Sequence, residues 1–274
     1  MPLFPEGAEG NEMELYVCGC RGSFPVSGAE HLEFGGATTC YVLRRGDYAV
    51  VIDCGTGLRN AGAALAGCKA VDVLLTHMHY DHILGLLMPG SFPADAELRI
   101  ISAFDQWEGQ ETLRQFLKPP FWPVTPELGE LVSVRPPESI ALRDGFTMEI
   151  RDSFHPGAGI LIKLKIGETS VCFLWDYERG CDDLDEWIQS CDLVCYDGMF
   201  DDDEYPDHVG WGHSTWQEGC RLAQRSCAKR LLITHHAPEH GDDWLRQAEK
   251  QSVEIFANTR FAREGDVIQL GEDF

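Results

Sequence analysis

The sequence contains no apolar run near the roughly 20 residues that a membrane-spanning helix needs. Its opening stretch, Met1 to Asn11, lacks the basic and apolar regions of a secretory signal. Both absences point to a soluble cytoplasmic protein that makes no membrane contact. Basic residues are also scarce. Lys plus Arg number 22 against 45 Asp plus Glu, a formal net charge of -23 with no Lys/Arg-rich run. A long nucleic acid is bound through phosphate contacts that require a basic surface, so that partner class is disfavoured. Bound divalent cations would return part of the missing positive charge. Paired cysteine spacing is missing too: the 11 cysteines are odd in number and fall within apparent strands and helices, as Cys54, Cys172 and Cys195 do. Reduced, buried thiols are therefore expected in place of a disulfide framework. Cys18 and Cys20 would share one face of a strand, but no second pair joins them into a zinc site.

What is present is an ordinary globular composition, 44% apolar and 10% aromatic, which excludes disorder. One domain over 13–274 is expected, behind a mobile tail at 1–12. Short runs rich in strand formers occupy 15–18, 39–43, 48–52, 71–75, 146–150, 160–166, 170–175, 193–196 and 231–234. Helical patterns occupy 58–66, 105–117, 182–189, 214–226 and 242–256. Early strands pair like hairpins while later ones alternate with helices, which favours a mixed α/β sandwich over a purely parallel sheet. The Pro-rich passage 118–137 is read as an insertion. Its Pro119-Pro120-Phe121-Trp122-Pro123 core cannot be regular structure, because proline lacks the donor and restricts its predecessor. A packed surface loop and a lid both remain open for it.

The strongest chemical signal is Thr76-His77-Met78-His79-Tyr80-Asp81-His82, directly after the buried run 71–75. Three imidazoles and a carboxylate within six positions are ligand types that bind zinc and similar cations, presented where a strand ends and its loop can wrap an ion. A lone histidine is more often a core or surface residue than a ligand. Four candidates together are poorly explained that way.

This segment resembles the H-x-H-x-D-H signature of the metallo-β-lactamase superfamily. The resemblance extends over nearly the whole chain: Ile52-Asp53-Cys54-Gly55-Thr56-Gly57 resembles the family's Asp-x-Gly turn, and Phe154-His155-Pro156-Gly157 its next histidine motif. Leu174-Trp175-Asp176 resembles the strand of its bridging aspartate, and Ile233-Thr234-His235 its final histidine. The resemblance implies an αββα four-layer sandwich of two mixed β-sheets, with the site at one edge. It implies two divalent metal ions, zinc or else manganese, with His77, His79 and His155 on one, Asp81, His82 and His235 on the other, and Asp176 between them. His235 and His236 are adjacent; His235 is taken as the ligand because it directly follows its strand, leaving His236 as a surface or substrate group. Asp53 is assigned to orienting a histidine ligand from outside the coordination sphere.

Gly212-His213-Ser214-Thr215 resembles the His-Ser-Thr motif of the tRNase Z and phosphodiesterase branch, in which the histidine lies near the scissile phosphate. Ser214 or Thr215 can equally serve as a helix cap. Asp197, in Cys195-Tyr196-Asp197-Gly198, occupies a strand end where that branch carries an acidic residue able to orient His213. The glycine-rich segments 19–23 and 35–39 resemble the same branch and can bring N–H groups near a phosphate. With no long Gly- and Lys-rich arm and a charge of -23, the expected substrate is a small phosphodiester or cyclic nucleotide. A tRNA 3′-processing endoribonuclease and a lactone or thioester hydrolase are the alternatives. Two cations roughly 3.5–4 Å apart would activate a water and clamp the reacting oxygens, with Asp81 accepting a proton and His213 assisting the leaving oxygen. The branch also implies a homodimer.

Overall fold

Residues 4, 13–88, 90–179 and 184–270 are described by the computed structural model. The first half of the chain supplies β1 (Met13–Gly19), β2 (Cys40–Arg45), β3 (Tyr48–Ile52), β4 (Ala70–Leu74), β5 (Glu97–Ser102) and β6 (Glu130–Ser133). The second half supplies β7 (Glu138–Ala141), β8 (Thr147–Asp152), β9 (Ile160–Ile166), β10 (Thr169–Leu174), β11 (Leu193–Asp197), β12 (Leu231–Thr234) and β13 (Thr259–Phe261). β14 (Val267–Gln269) returns to pair with β1, giving sheet orders β14-β1-β2-β3-β4-β5-β6 and β13-β12-β11-β10-β9-β8-β7. Each sheet is antiparallel on one side and parallel on the other, the switch falling at β3/β4 in the first and β10/β11 in the second. Hairpins and crossovers thus do not divide between the halves of the chain. Each half repeats the same progression.

The inner faces of the sheets pack on each other. Leu15, Val17, Val50 and Val73 of the first share one buried cluster with Ile160, Ile162, Phe173 and Leu232 of the second. The outer face of the second sheet is covered by α4 (Leu184–Trp187), α5 (Trp216–Arg225) and α6 (Asp242–Ile255), through Trp187, Trp216, Leu222 and Leu245. The other outer layer is built from shorter pieces, α1 (Gly62–Leu65), α2 (Tyr80–Ile83), α3 (Gln110–Phe116) and 3-10 turns. This is the αββα sandwich that the sequence led us to expect.

Several local expectations need correction. The helix read at 58–66 is a 3-10 segment, Thr56–Asn60, followed by the single turn α1. The one read at 105–117 breaks between a 3-10 turn, Phe104–Trp107, and α3, because Glu108 and Gly109 both take left-handed φ values of 61° and 90°. The Pro-rich passage is irregular at 119–123 but contains β6, so its last part completes the first sheet. β5, β6, β7, β13 and β14 had not been anticipated. The segment read as a tail lies outside the described residues except for Phe4, whose buried ring meets Tyr16 edge-on at 5.2 Å. No helix among the described residues is long and apolar enough to cross a membrane.

Candidate metal centre

Parallel strands carry their C-terminal ends to one edge of a sheet, and ligands bind in the crevice outside those ends. Here Asp53 follows β3, Thr76 to His82 follow β4, His155 follows β8, Asp176 follows β10, Asp197 ends β11 and His235 follows β12. Asp53 and His235 take left-handed φ values of 58° and 59°, which turns their side chains out of the strand direction.

Three groups of donor atoms result, each within 4.8 Å: His77, His79, His155 and Asp176; Asp81, His82, Asp176 and His235; and Asp176, Asp197, His213 and His235. Asp176 belongs to all three, and its two oxygens face different partners. Oδ2 lies 3.4 Å from His77 Nε2 and 3.6 Å from His155 Nε2. Oδ1 lies 3.2 Å from His82 Nε2 and 3.4 Å from His235 Nε2. Asp81 Oδ2 lies 3.1 Å from His82 Nε2, and His79 Nδ1 lies 3.1 Å from His155 Nε2. Ligand atoms around a tetrahedral cation with bonds of about 2.0–2.1 Å are separated by roughly 3.3–3.4 Å, which these distances bracket.

The outer nitrogens fix which inner atoms are lone pairs. His82 Nδ1 donates to Asp53 Oδ2 at 2.7 Å and His155 Nδ1 donates to the Gly212 carbonyl at 2.9 Å. Thr76 Oγ1 donates to Asp53, so it accepts from His77 Nδ1 at 3.1 Å. Thr39 Oγ1 likewise donates to the Arg21 carbonyl and accepts from His235 Nδ1 at 3.2 Å. Every Nε2 of these four rings therefore turns a lone pair inward. His77 Nε2, His82 Nε2, His235 Nε2 and Asp176 Oδ1 are buried without a hydrogen-bond partner. Such orphaned atoms are costly in a protein interior, and a divalent cation is the occupant whose chemistry satisfies them together. The donor set fits the metals that the family resemblance implied.

Burial opposes charge at Asp81 and Asp176, but the surrounding histidines outweigh it, His82 for Asp81 and His235, His82 and His77 for Asp176; both carboxyls fall below their usual range. In the metal-free protein Asp81, Asp176 and Asp53 overcome the burial of His82 and raise it well above the ordinary imidazole value, so a cation has to displace the Nε2 proton before that lone pair can coordinate. His79 and His155, lowered by burial to about 4, remain neutral and ready to coordinate.

His213 lies beside this cluster, stacked on His235 at 5.0 Å. Its Nδ1 donates to Asp197 Oδ2 at 2.9 Å, which leaves Nε2 as the working nitrogen. Burial would lower its pKa, but the charge and hydrogen bond of Asp197, with Asp176 and Asp81 behind, raise it to about 9. Thr215, not Ser214, caps α5 through Glu218 N, while Ser214 Oγ meets Tyr196 Oη at 2.7 Å.

The structure thus gathers His77, His79, Asp81, His82, His155, Asp176 and His235 at one place, with Asp53 behind His82 and Asp197 behind His213. It does not bring His236 there. The chain leaves β12 through the left-handed turn at His235, and His236 is fully buried on the other side, donating from Nε2 to the Ala262 carbonyl and stacking on Phe261. It is neither a surface group nor a member of the cluster. Sequence reading passed over several supports. Thr39 and Thr76 hold ring nitrogens, Trp175 Nε1 donates to Asp53 at 2.7 Å, Ser23 N donates to Asp81 at 2.8 Å, and Glu178 accepts from Gly212 N at 2.7 Å. Two glycines are required by close approach. A Cβ on Gly22 would sit 2.4 Å from the His235 ring, and one on Gly212, whose φ is +88°, would sit 2.0 Å from His155 Nδ1. Only their nearness to the motifs could have pointed to them.

The beta-lactamase superfamily domain matches residues 48–236, a span that includes all seven clustered donors. The chain is 26% identical over 246 residues to the probable metallo-hydrolase YhfI of Bacillus subtilis, covering 87% of this chain and 93% of that protein. The crystal structure of YhfI superposes with a TM-score of 0.75 at 23% identity, over 94% of this chain and 99% of that one. A diphosphatase from the PhnP family superposes at 0.68 and 20% identity, over 94% and 97%; at such identities the superpositions speak to the fold. Ribonuclease Z of Gemmatimonas aurantiaca is 33% identical over 92 residues, 34% of this chain and 29% of that enzyme.

Proposed function

Because the chain belongs to the metallo-β-lactamase superfamily, we propose that it is a metal-dependent hydrolase which holds two divalent cations and cleaves a small phosphodiester. His77, His79 and His155 would hold one cation and Asp81, His82 and His235 the other, with Asp176 giving one oxygen to each. Nitrogen and carboxylate donors in this proportion suit zinc, with manganese the alternative. When bound, such a pair would supply Lewis-acid chemistry, easing deprotonation of a water and neutralising charge on the phosphoryl oxygens.

The observation that carries the phosphodiester reading is the Asp197–His213 couple, which stands against the donors without being needed by either group of three. Held by Asp197 through Nδ1, His213 presents Nε2 beside the donors, where it delivers a proton to the departing oxygen as the P–O bond breaks. Asp81, fixed by Ser23 N, accepts the proton lost by the attacking water. Glu178 steadies the loop behind His213 by accepting from Gly210 N and Gly212 N. A net charge of -23 disfavours a long polyanion, so the reading is of a small diester or cyclic nucleotide in preference to precursor tRNA.

The test is a parallel hydrolysis screen of the metal-loaded protein with cyclic nucleotides, linear phosphodiesters, precursor tRNA, lactones and thioesters. Small phosphodiesters are expected to be cleaved fastest. A preference for lactones or thioesters, or efficient salt-sensitive tRNA cleavage, would overturn the reading.

A further inference from the structure

One wall of the cluster opens into a groove that the proposed chemistry does not use. His79, a donor on its inner side, is also a lining residue of a cavity of about 340 Å³ shared with Met78, Tyr80, Gln115, Phe116 and Phe121. That volume falls within the range of small-molecule sites, about 300–1,000 Å³. The Tyr80 and Phe116 rings stack with centroids 5.5 Å apart and planes 28° from parallel. Tyr80 is 65% exposed and Phe121 67% exposed. With Phe116 lining the same cavity, these exposed rings form a contiguous aromatic patch, and contiguous patches of that kind mark binding surfaces. Phe121 is supplied by the Pro-rich passage, whose irregular path brings it to the cavity that α3 and the turn after β4 also line.

We propose that this groove takes the base of a nucleotide-type substrate, so that Tyr80, Phe116, Phe121 and Gln115 select a heteroaromatic substituent on the phosphodiester. The inference rests on the phosphodiesterase reading and narrows it. A flat ring extends an aromatic stack that already exists, and every base has a π-face to offer. The exposed Gln115 carboxamide both donates and accepts, as the edge of a base does. A base is uncharged and therefore escapes the repulsion that this acidic protein presents to a second phosphate. His79 separates the groove from the metal donors by a single imidazole ring, so base and phosphate can be engaged together.

The experiment compares adenosine 5′-monophosphate with ribose 5-phosphate by calorimetry on the metal-loaded protein, two ligands that differ only in the base. The native protein should bind the nucleotide about tenfold more tightly. Phe121→Ala should remove most of that difference, and Gln115→Ala a smaller part, without changing the affinity for ribose 5-phosphate. Equal affinities in the native protein, equal weakening of both ligands by Phe121→Ala, or tighter binding of hexyl phosphate than of the nucleotide would overturn the proposal. Cleavage of bis(4-nitrophenyl) phosphate by the same samples separates the two claims. Cleavage without base preference removes the groove assignment alone. Base preference lost in Phe121→Ala, with no phosphodiester cleaved, upholds the groove and removes the phosphodiesterase reading.

Discussion

The two donor groups that share Asp176 are built to different standards of enclosure. Around Asp81, His82 and His235 both rings are fully buried and their outer nitrogens are tied to Asp53 and Thr39. Around His77, His79 and His155 the middle histidine is exposed at the rim, where its outer nitrogen lies 3.3 Å from where a Gly157 Cβ would stand. The sealed group draws its fixity from a carboxylate that accepts four hydrogen bonds, from Thr76 N, Thr76 Oγ1, His82 Nδ1 and Trp175 Nε1. The open group borrows a backbone carbonyl from Gly212 and leaves one ring facing the groove. Oriented outer partners raise metal affinity, so under the proposed two-cation reading the sealed group should hold its cation more tightly than the open one.

The most severe way to break this comparison is to remove what the groups have in common. Asp176→Ala should lower metal content in both and abolish hydrolysis, read by elemental analysis beside activity; full occupancy of either group in the variant would show that the carboxylate is not shared. Next comes His213, which stacks on the sealed group without belonging to it. His213→Ala should keep both metals while losing about 10²–10⁴ in turnover. In the metal-free protein the His213 imidazole should titrate near 9 by NMR, and Asp197→Asn should move it down. Its folded pKa lies above the ordinary 6.5, so its stabilising contribution is complete below that pH and is lost as pH rises through about 9.

Asp53→Ala should act mainly on the sealed group, weakening its metal affinity about 10–100-fold and destabilising the fold by roughly 3–5 kcal/mol through the partners left buried. Metal titration and urea unfolding would check this, and a loss confined to the open group would invert the ranking. The smallest effect is expected from Gly22→Ala, whose new methyl collides with the His235 ring. Strain of about 1–3 kcal/mol should lower the melting temperature and loosen the sealed metal alone.

Much of this was legible in the chain before the fold was seen. β3, β9 and β12 match the expected bounds residue for residue: β3 and β12 because burial on both faces writes itself as a continuous run, β9 because Lys163 and Lys165 alternate with apolar residues. β13 and β14, three residues each with exposed or half-buried positions, carry no such pattern; they are strands because a neighbour pairs with them. The donors were legible because His77, His79, Asp81 and His82 crowd one strand end, which makes the distant His155, Asp176 and His235 recognisable by resemblance. Thr39, Thr76 and Gly22 were not, since a hydroxyl or a missing side chain acquires its role only when another strand end arrives beside it. His236 was misplaced for the same reason: two adjacent histidines look alike in a string, and only the sheet decides which faces the crevice.

The donors come from the ends of strands in both sheets, and the last of them sits late in the chain. A domain generally folds as a unit, and His77, His79, Asp81 and His82 precede β12 and His235 by roughly 150 residues of chain. A nascent chain can meet metal only through a partial set of ligands from the first sheet. The complete donor set comes together only when the second sheet packs on the first, which makes full coordination depend on the docking of both halves.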